Sequence, residues 1–193
     1  MNLSSDDFAL FGLPRTFQQD PSLIDARRLD LQRLTHPDQF ADQGTSAQRL
    51  AMQWSMRINE GWQRLKNPLK RAAYLCDLGG APVNVSTAAH GLTPHTPLTP
   101  QIPSMSPDFL MQQMAWREDL EAAQSADDLS HIGQQVDMAV HDTLQKIAQL
   151  IDGQQDFQAA SGQVRILMFL QHLAQAICDR TDEQRERQRS RVM

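Results

Sequence analysis

The strongest constraint on the fold is a run of prolines in the middle of the chain. Six of the ten prolines fall between residues 82 and 107, a stretch without any charged side chain. Proline fixes the φ angle and removes a main-chain donor, so this stretch cannot continue a regular helix or a central strand. The sequence therefore predicts two domains, residues 1–78 and 108–193, joined by a proline-rich linker over residues 79–107.

The charge balance and the apolar pattern exclude several classes of protein. The chain has 18 basic and 23 acidic side chains, so we expect no nucleic-acid partner, because phosphate backbones need clustered positive charge. The first residues are acidic and their apolar run is short, unlike a secretory signal. The longest uncharged stretch, residues 78–107, holds too much proline, threonine and serine to span a membrane. These patterns predict a cytoplasmic protein with no membrane partner.

Helix signals recur in the first domain, whereas alternating strand patterns are missing from the sequence. Asp20 and Pro21 predict the start of a helix that must end before Pro37. A second helix is predicted over about residues 46–66 and a third over residues 68–78, after a brief one near residues 6–11. The expected apolar stripe of the first long helix is thin, namely Ile24, Leu31 and Leu34.

The second domain repeats these signals over three longer helices. Pro107 marks the first start, and Ser125 with Asp128 forms a capping box at the second. Asp152 and Gly153 interrupt the pattern before a third helix begins. Short connections between three such helices favour an antiparallel three-helix bundle, so the whole chain is predicted to be all-α.

The most informative motif is His36, Pro37 and Asp38, which falls at the break between two amphipathic helices. The first of these helices carries Arg27, Arg28 and Arg33. This arrangement resembles the signature of J-domains, a helical hairpin with short helices that docks on heat-shock-70-class chaperones.

Further segments extend the resemblance over both domains. They read FALFGLP at 8–14, LQRLTHPDQF at 31–40, INEGWQRLKNPLKRAAYL at 58–75 and FLMQQMAWREDL at 109–120. Together they resemble the HscB family, the J-type co-chaperones of iron–sulfur cluster assembly. The resemblance implies two partners, an HscA-like heat-shock-70-class chaperone whose ATPase is stimulated and an IscU-like scaffold protein that is delivered to it.

The resemblance also implies two sets of site residues. The chaperone-binding set is His36, Pro37, Asp38, Arg27, Arg28 and Arg33. The scaffold-binding set is Leu110, Met111, Met114, Glu118 and Phe169, which are four apolar residues and one acidic contact. Methionine suits such a surface because its side chain is flexible and polarisable.

The chain departs from the family pattern at several positions. Arg28 and Thr35 stand where the family commonly has aromatic residues, and Gln39 where it commonly has lysine. Ala115 and Ala122 stand at positions where the family often has acidic residues. The scaffold contact is therefore expected to depend more on apolar burial than on charge.

Two other functions compete with this interpretation. The chain could be a J-domain adaptor whose acidic bundle binds a different client or a second copy of itself. An enzyme could use His36 and Asp38 as an acid–base pair, or as metal ligands with His90 and His95. The sequence has no nucleophile elbow, phosphate-binding glycine loop or cysteine pair with metal-ligand spacing, so we expect neither catalysis nor a cofactor.

Overall fold

The computed structural model describes residues 5–35, 44–83 and 107–192, with side chains through residue 186. Every regular element in these ranges is helical, which confirms the all-α prediction. The α-helices are α1 (Asp7–Phe11), α2 (Pro21–Thr35), α3 (Thr45–Lys66), α4 (Pro68–Leu78), α5 (Pro107–Ala122), α6 (Ala126–Ala148) and α7 (Phe157–Val192). A π-helical turn, Gln149–Gln154, follows α6.

The chain forms two compact units. Of the described residues, the first contains 5–35, 44–82 and 148–157, and the second contains residue 83, 107–147 and 158–192. Residues 148–157 fall in the predicted C-terminal domain by sequence, but they group with the first unit in the structure. The division at a linker over residues 79–107 stays a prediction, because residues 84–106 lie outside the described part of the chain.

The first unit is a helical hairpin of α2 and α3 supported by α1 and α4. Its most buried side chains include Phe8, Phe11, Ile24, Ile58 and Leu65. The predicted stripe of α2 is correct for Ile24 and Leu31 but wrong for Leu34, which is exposed. Thr35 is buried instead, and its hydroxyl donates to the Leu31 carbonyl, which satisfies its polar group inside the helix.

A buried carboxylate ties α1 to the hairpin. Asp7 is fully buried, and its two oxygens lie 2.5 Å from Arg57 Nη1 and 2.8 Å from Arg64 Nη1. The main-chain N–H of Asp7 donates to the Tyr74 hydroxyl, while Arg64 lies over the Tyr74 ring. Gly61 permits this close packing, since a Cβ there would lie 3.0 Å from the Phe11 ring.

The segment between α6 and α7 completes the first unit. The Asp152 carboxylate accepts hydrogen bonds from the main-chain N–H groups of Phe17, at 2.6 Å, and Gln18, at 2.9 Å. The Phe157 ring lies against Gly79 so closely that a Cβ at residue 79 would come within 2.2 Å of it. The two hydrogen bonds to Asp152 fix the main chain of the 13–19 segment, which has no regular structure of its own.

The second unit is a three-helix bundle of α5, α6 and α7. Its core is formed by Trp116, Ala123, Leu129, Ile132, Val136, Leu170, Leu173 and Ile177. The predicted capping box begins α6: Ser125 N donates to Asp128 Oδ2 at 2.9 Å, and Asp128 N donates to Ser125 Oγ at 3.1 Å. Arg180 of α7 donates to the carbonyl oxygens of Glu121 and Ala123, which secures the end of α5.

Candidate functional site

The first candidate site is the end of the α2–α3 hairpin. Helix α2 ends at Thr35 and α3 begins at Thr45. His36, Pro37 and Asp38 directly follow α2 in the sequence and lie outside the described residues. The described part of this site is therefore the outer face of α2.

Two of the three predicted arginines on α2 are freely accessible. Arg27 and Arg33 are exposed. Arg33 lies 3.6 Å from Asp30, and both of these side chains are more than half exposed. A pair so solvated is weak, so both guanidinium groups are available to an acidic partner surface.

Arg28 has a different environment from its neighbours. It is half-buried, and its guanidinium stacks 4.0 Å from the centre of the Trp62 ring on α3. Trp62 Nε1 donates to Asp25 Oδ1 at 2.7 Å, and Lys66 Nζ lies 2.9 Å from Asp25 Oδ2. Hydrogen bonds from Lys66 and then Trp62 lower the pKa of Asp25. Arg28 thus packs between α2 and α3 and covers a face of Trp62 by a cation–π contact.

The second candidate site is the outer face of α5. Leu110, Met111 and Met114 are 46, 65 and 62% exposed, and we call these three residues the apolar patch. Scattered single apolar residues are ordinary on a protein surface, but three of them within five positions of one helix form a contiguous feature. The patch does not belong to the bundle core.

Helix α5 therefore has apolar residues on two faces. Trp116 is buried in the bundle, and its indole N–H donates to Gln135 at 3.3 Å. Phe109 and Leu120 pack partly against the same core. The sequence pattern alone does not separate these residues from the patch, because both sets recur at helical spacing.

Glu118 and Phe169 differ in their accessibility. Glu118 is exposed four residues after Met114, which places it on the same side of α5. Phe169, on α7, is only partly exposed and its ring meets Phe109 edge to face, with centroids 5.7 Å apart. Phe169 thus supports α5 from the bundle side. Ala115 and Ala122 are also exposed.

The described residues show no group of His, Cys, Asp or Glu arranged to hold a metal ion. His90 and His95 lie outside those ranges. Cys76 is buried on α4, Cys178 is exposed on α7, and no disulfide joins them. None of the described helices combines the length and the hydropathy that a membrane span requires.

The structure thus combines a hairpin of two long helices, with exposed arginines on α2, and a three-helix bundle that exposes an apolar patch. Residues 105–178 match the family model of the HscB C-terminal oligomerisation domain. The chain is 36% identical over 182 residues to a co-chaperone protein HscB homolog of Aromatoleum aromaticum, covering 93% of this chain and 95% of the relative. It is 38% identical to the homolog of Paraburkholderia phymatum, covering 91 and 94%.

Solved structures agree with these relatives. The chaperone HscB from Vibrio cholerae superposes with a TM-score of 0.72 at 31% identity, covering 93% of this chain and 99% of that one. The human co-chaperone HscB shares the fold, with a TM-score of 0.76 at 23% identity over 93% of this chain and 84% of that one. The chain belongs to the HscB co-chaperone family.

Proposed function

We propose that this co-chaperone binds two proteins: an HscA-like chaperone of the heat-shock-70 class at the α2–α3 hairpin, and an IscU-like iron–sulfur scaffold at the apolar patch. In this role it stimulates the chaperone's ATPase while presenting the scaffold to it, in the cytoplasm. The observation that supports this most directly is the exposure of Leu110, Met111 and Met114 outside the bundle core. Family membership supplies the expected partners.

The chaperone contact is attributed to the residues that follow α2. Pro37 restricts its own φ angle and thereby lowers the conformational entropy that binding must remove. Asp38 offers a carboxylate that can accept paired hydrogen bonds from a partner guanidinium. The exposed Arg27 and Arg33 supply positive charge that accelerates encounter with an acidic chaperone surface.

The free energy required for this activation is modest. A coupling of about 1.4–3 kcal/mol in favour of the hydrolysis-competent chaperone corresponds to a rate increase of roughly 10- to 150-fold. A small transient interface can provide that much. The catalytic groups then belong to the chaperone, and this chain acts as an adaptor.

The scaffold contact is attributed to burial of the apolar patch, with Glu118 at its edge. Each buried methylene contributes about 0.8 kcal/mol, so burial of these three side chains favours association. Because Ala115 and Ala122 supply no charge, we expect Glu118 to be the main source of any salt dependence of this contact.

The test of the chaperone contact is Asp38→Ala. We expect this variant to lose stimulation of the cognate chaperone's ATPase while its helical circular dichroism and its scaffold affinity stay unchanged. Asp42→Ala, an acid in the same segment between α2 and α3, is the matched control and should stimulate normally. Full stimulation by Asp38→Ala would contradict the proposal. Stimulation without scaffold binding would instead favour an adaptor for a different client.

A further inference from the structure

We propose that Met111 and Met114 are an oxidation-sensitive pair, and that their conversion to methionine sulfoxide by hydroperoxides switches off scaffold binding. This inference rests on the proposed scaffold-binding role of the apolar patch. It adds a modification site and a chemical class of signal to that surface.

The accessibility of the two thioethers is the first observation. Met111 and Met114 are 65 and 62% exposed. Their spacing of three residues on α5 places them on one face of the helix. An oxidant can therefore reach both sulfur atoms from solvent without any opening of the bundle, and one modified surface would carry two polar groups.

The reaction is an oxygen transfer. The methionine sulfur attacks one oxygen of hydrogen peroxide, so that a sulfur–oxygen bond forms as the oxygen–oxygen bond breaks. Sulfur loses two electrons, and the departing hydroxide takes the remaining proton to leave as water. The products are one sulfoxide and one water for each peroxide consumed, and methionine sulfoxide reductases reverse the change.

The consequence follows from what surrounds the two sulfur atoms. Met111 and Met114 lie beside Leu110 in a patch that has to lose water when a partner binds. A sulfoxide oxygen is a strong acceptor, and burying it without a donor is unfavourable. Oxidation also replaces a flexible apolar chain with a polar, chiral one, which removes the adaptability of the surface.

Other methionines separate oxidation at the patch from oxidation in general. Met138 on α6 lies outside the patch and is 63% exposed. It should therefore be oxidised at a similar rate, but its oxidation should not change scaffold binding. Met168 on α7 is only 9% exposed and should react slowly. The effect on binding is therefore expected to follow position in the fold and not total oxidation.

The test measures scaffold affinity by titration calorimetry before and after hydrogen peroxide treatment, using the cluster-free scaffold protein as the probe. All proteins carry Cys178→Ser, because the exposed Cys178 thiol would also react. Mass spectrometry establishes which methionines are oxidised. We expect the Kd to rise at least tenfold once Met111 and Met114 are sulfoxides. The original Kd should return after treatment with sulfoxide reductases.

Leucine variants supply the decisive comparison, because leucine keeps the apolar volume but cannot be oxidised. Each variant is compared with itself: peroxide should leave the scaffold affinity of the double variant Met111→Leu, Met114→Leu at its own untreated value, whatever that value is, whereas Met138→Leu should still lose affinity. Unchanged affinity with both patch methionines oxidised, resistance of these two residues to peroxide, or loss of binding by the treated double variant would each overturn the inference while leaving the proposed function intact. Absence of binding by the untreated protein would overturn the proposed function and this inference with it.

Discussion

The Arg28 guanidinium lies 4.0 Å from the centre of the Trp62 ring, which joins α2 to α3 through a cation–π contact. This contact divides the arginines of α2 into two kinds. Arg28 packs within the hairpin, whereas Arg27 and Arg33 face solvent. The three positive charges are thus expected to contribute differently to stability and to chaperone binding.

Replacing Arg28 with alanine should destabilise the first unit by about 0.5–2 kcal/mol, the range for a cation–π contact between exposed and desolvated settings. Arg27→Ala and Arg33→Ala should leave stability unchanged and instead slow chaperone association, most clearly at low salt. Urea denaturation and stopped-flow association measure the two effects. Equal stability of all three variants would contradict the structural role of Arg28.

Asp7→Asn should strongly destabilise the packing of α1 on the hairpin. The substitution removes the negative charge that lies between Arg57 and Arg64 and leaves both without their buried partner. Loss of one partner from a buried ion pair costs about 3 kcal/mol. Urea denaturation should show this loss, whereas Asp30→Asn, from the exposed pair with Arg33, should change the midpoint little. Similar midpoints for both variants would show that the buried network is not stabilising.

The capping box of α6 predicts a pH dependence of stability. The main-chain N–H of Ser125, then its hydroxyl, and the main-chain N–H of Gln124 lower the pKa of Asp128. A carboxyl group whose pKa is lower in the folded state than its unfolded value of about 3.9 stabilises the fold above that pH. This stabilisation is lost as the pH falls through the folded-state pKa.

Wild type should therefore exceed Asp128→Asn in stability near neutral pH, and the difference should shrink below about pH 4. Ser125→Ala removes the reciprocal cap and should cost about 1 kcal/mol at neutral pH. Guanidinium denaturation at a series of pH values provides both comparisons. A difference between wild type and Asp128→Asn that does not vary with pH would contradict the ionic character of the cap.

Alanine substitutions at Leu110 and Met114 should each weaken scaffold binding by about 1–2 kcal/mol without loss of folding, since both side chains are exposed. Met138→Ala, at equal exposure on α6, is the matched control. Phe169→Ala is a poorer probe, because Phe169 also packs against Phe109 and its removal should destabilise the bundle. Calorimetric titration with the scaffold measures the affinities, and unchanged binding by both patch variants would place the scaffold elsewhere.

Local signals in the sequence predict much of this fold. Asn67 and Pro68 begin α4 as the capping pattern requires, with Asn67 accepting from Lys70 N. The capping box likewise begins α6 at the predicted place. These features depend on residues within one turn of each other, so the sequence carries them directly.

Features that depend on distant residues could not be predicted in the same way. From its sequence position, Asp7 is an ordinary acidic residue in the first turn of a helix. In the structure it forms ion pairs with Arg57 and Arg64 of α3, which are at least 50 residues away in the sequence. Asp152 looks like a helix breaker, yet it caps the main chain of Phe17 from 135 positions away. The outward position of the apolar patch also depends on tertiary packing, because Trp116 and not Met114 turns into the core. In each case the role of the residue depends on a contact between distant segments, which a local sequence pattern does not predict.

The most direct test of the two-site mechanism is the chaperone's ATPase rate with this protein alone, with the scaffold alone, and with both. We predict that the two together raise the rate by more than the sum of their separate effects. Asp38→Ala should abolish stimulation, and Met114→Ala should reduce only the additional effect of the scaffold. A rate with both proteins that is no higher than with the better single one would contradict the account.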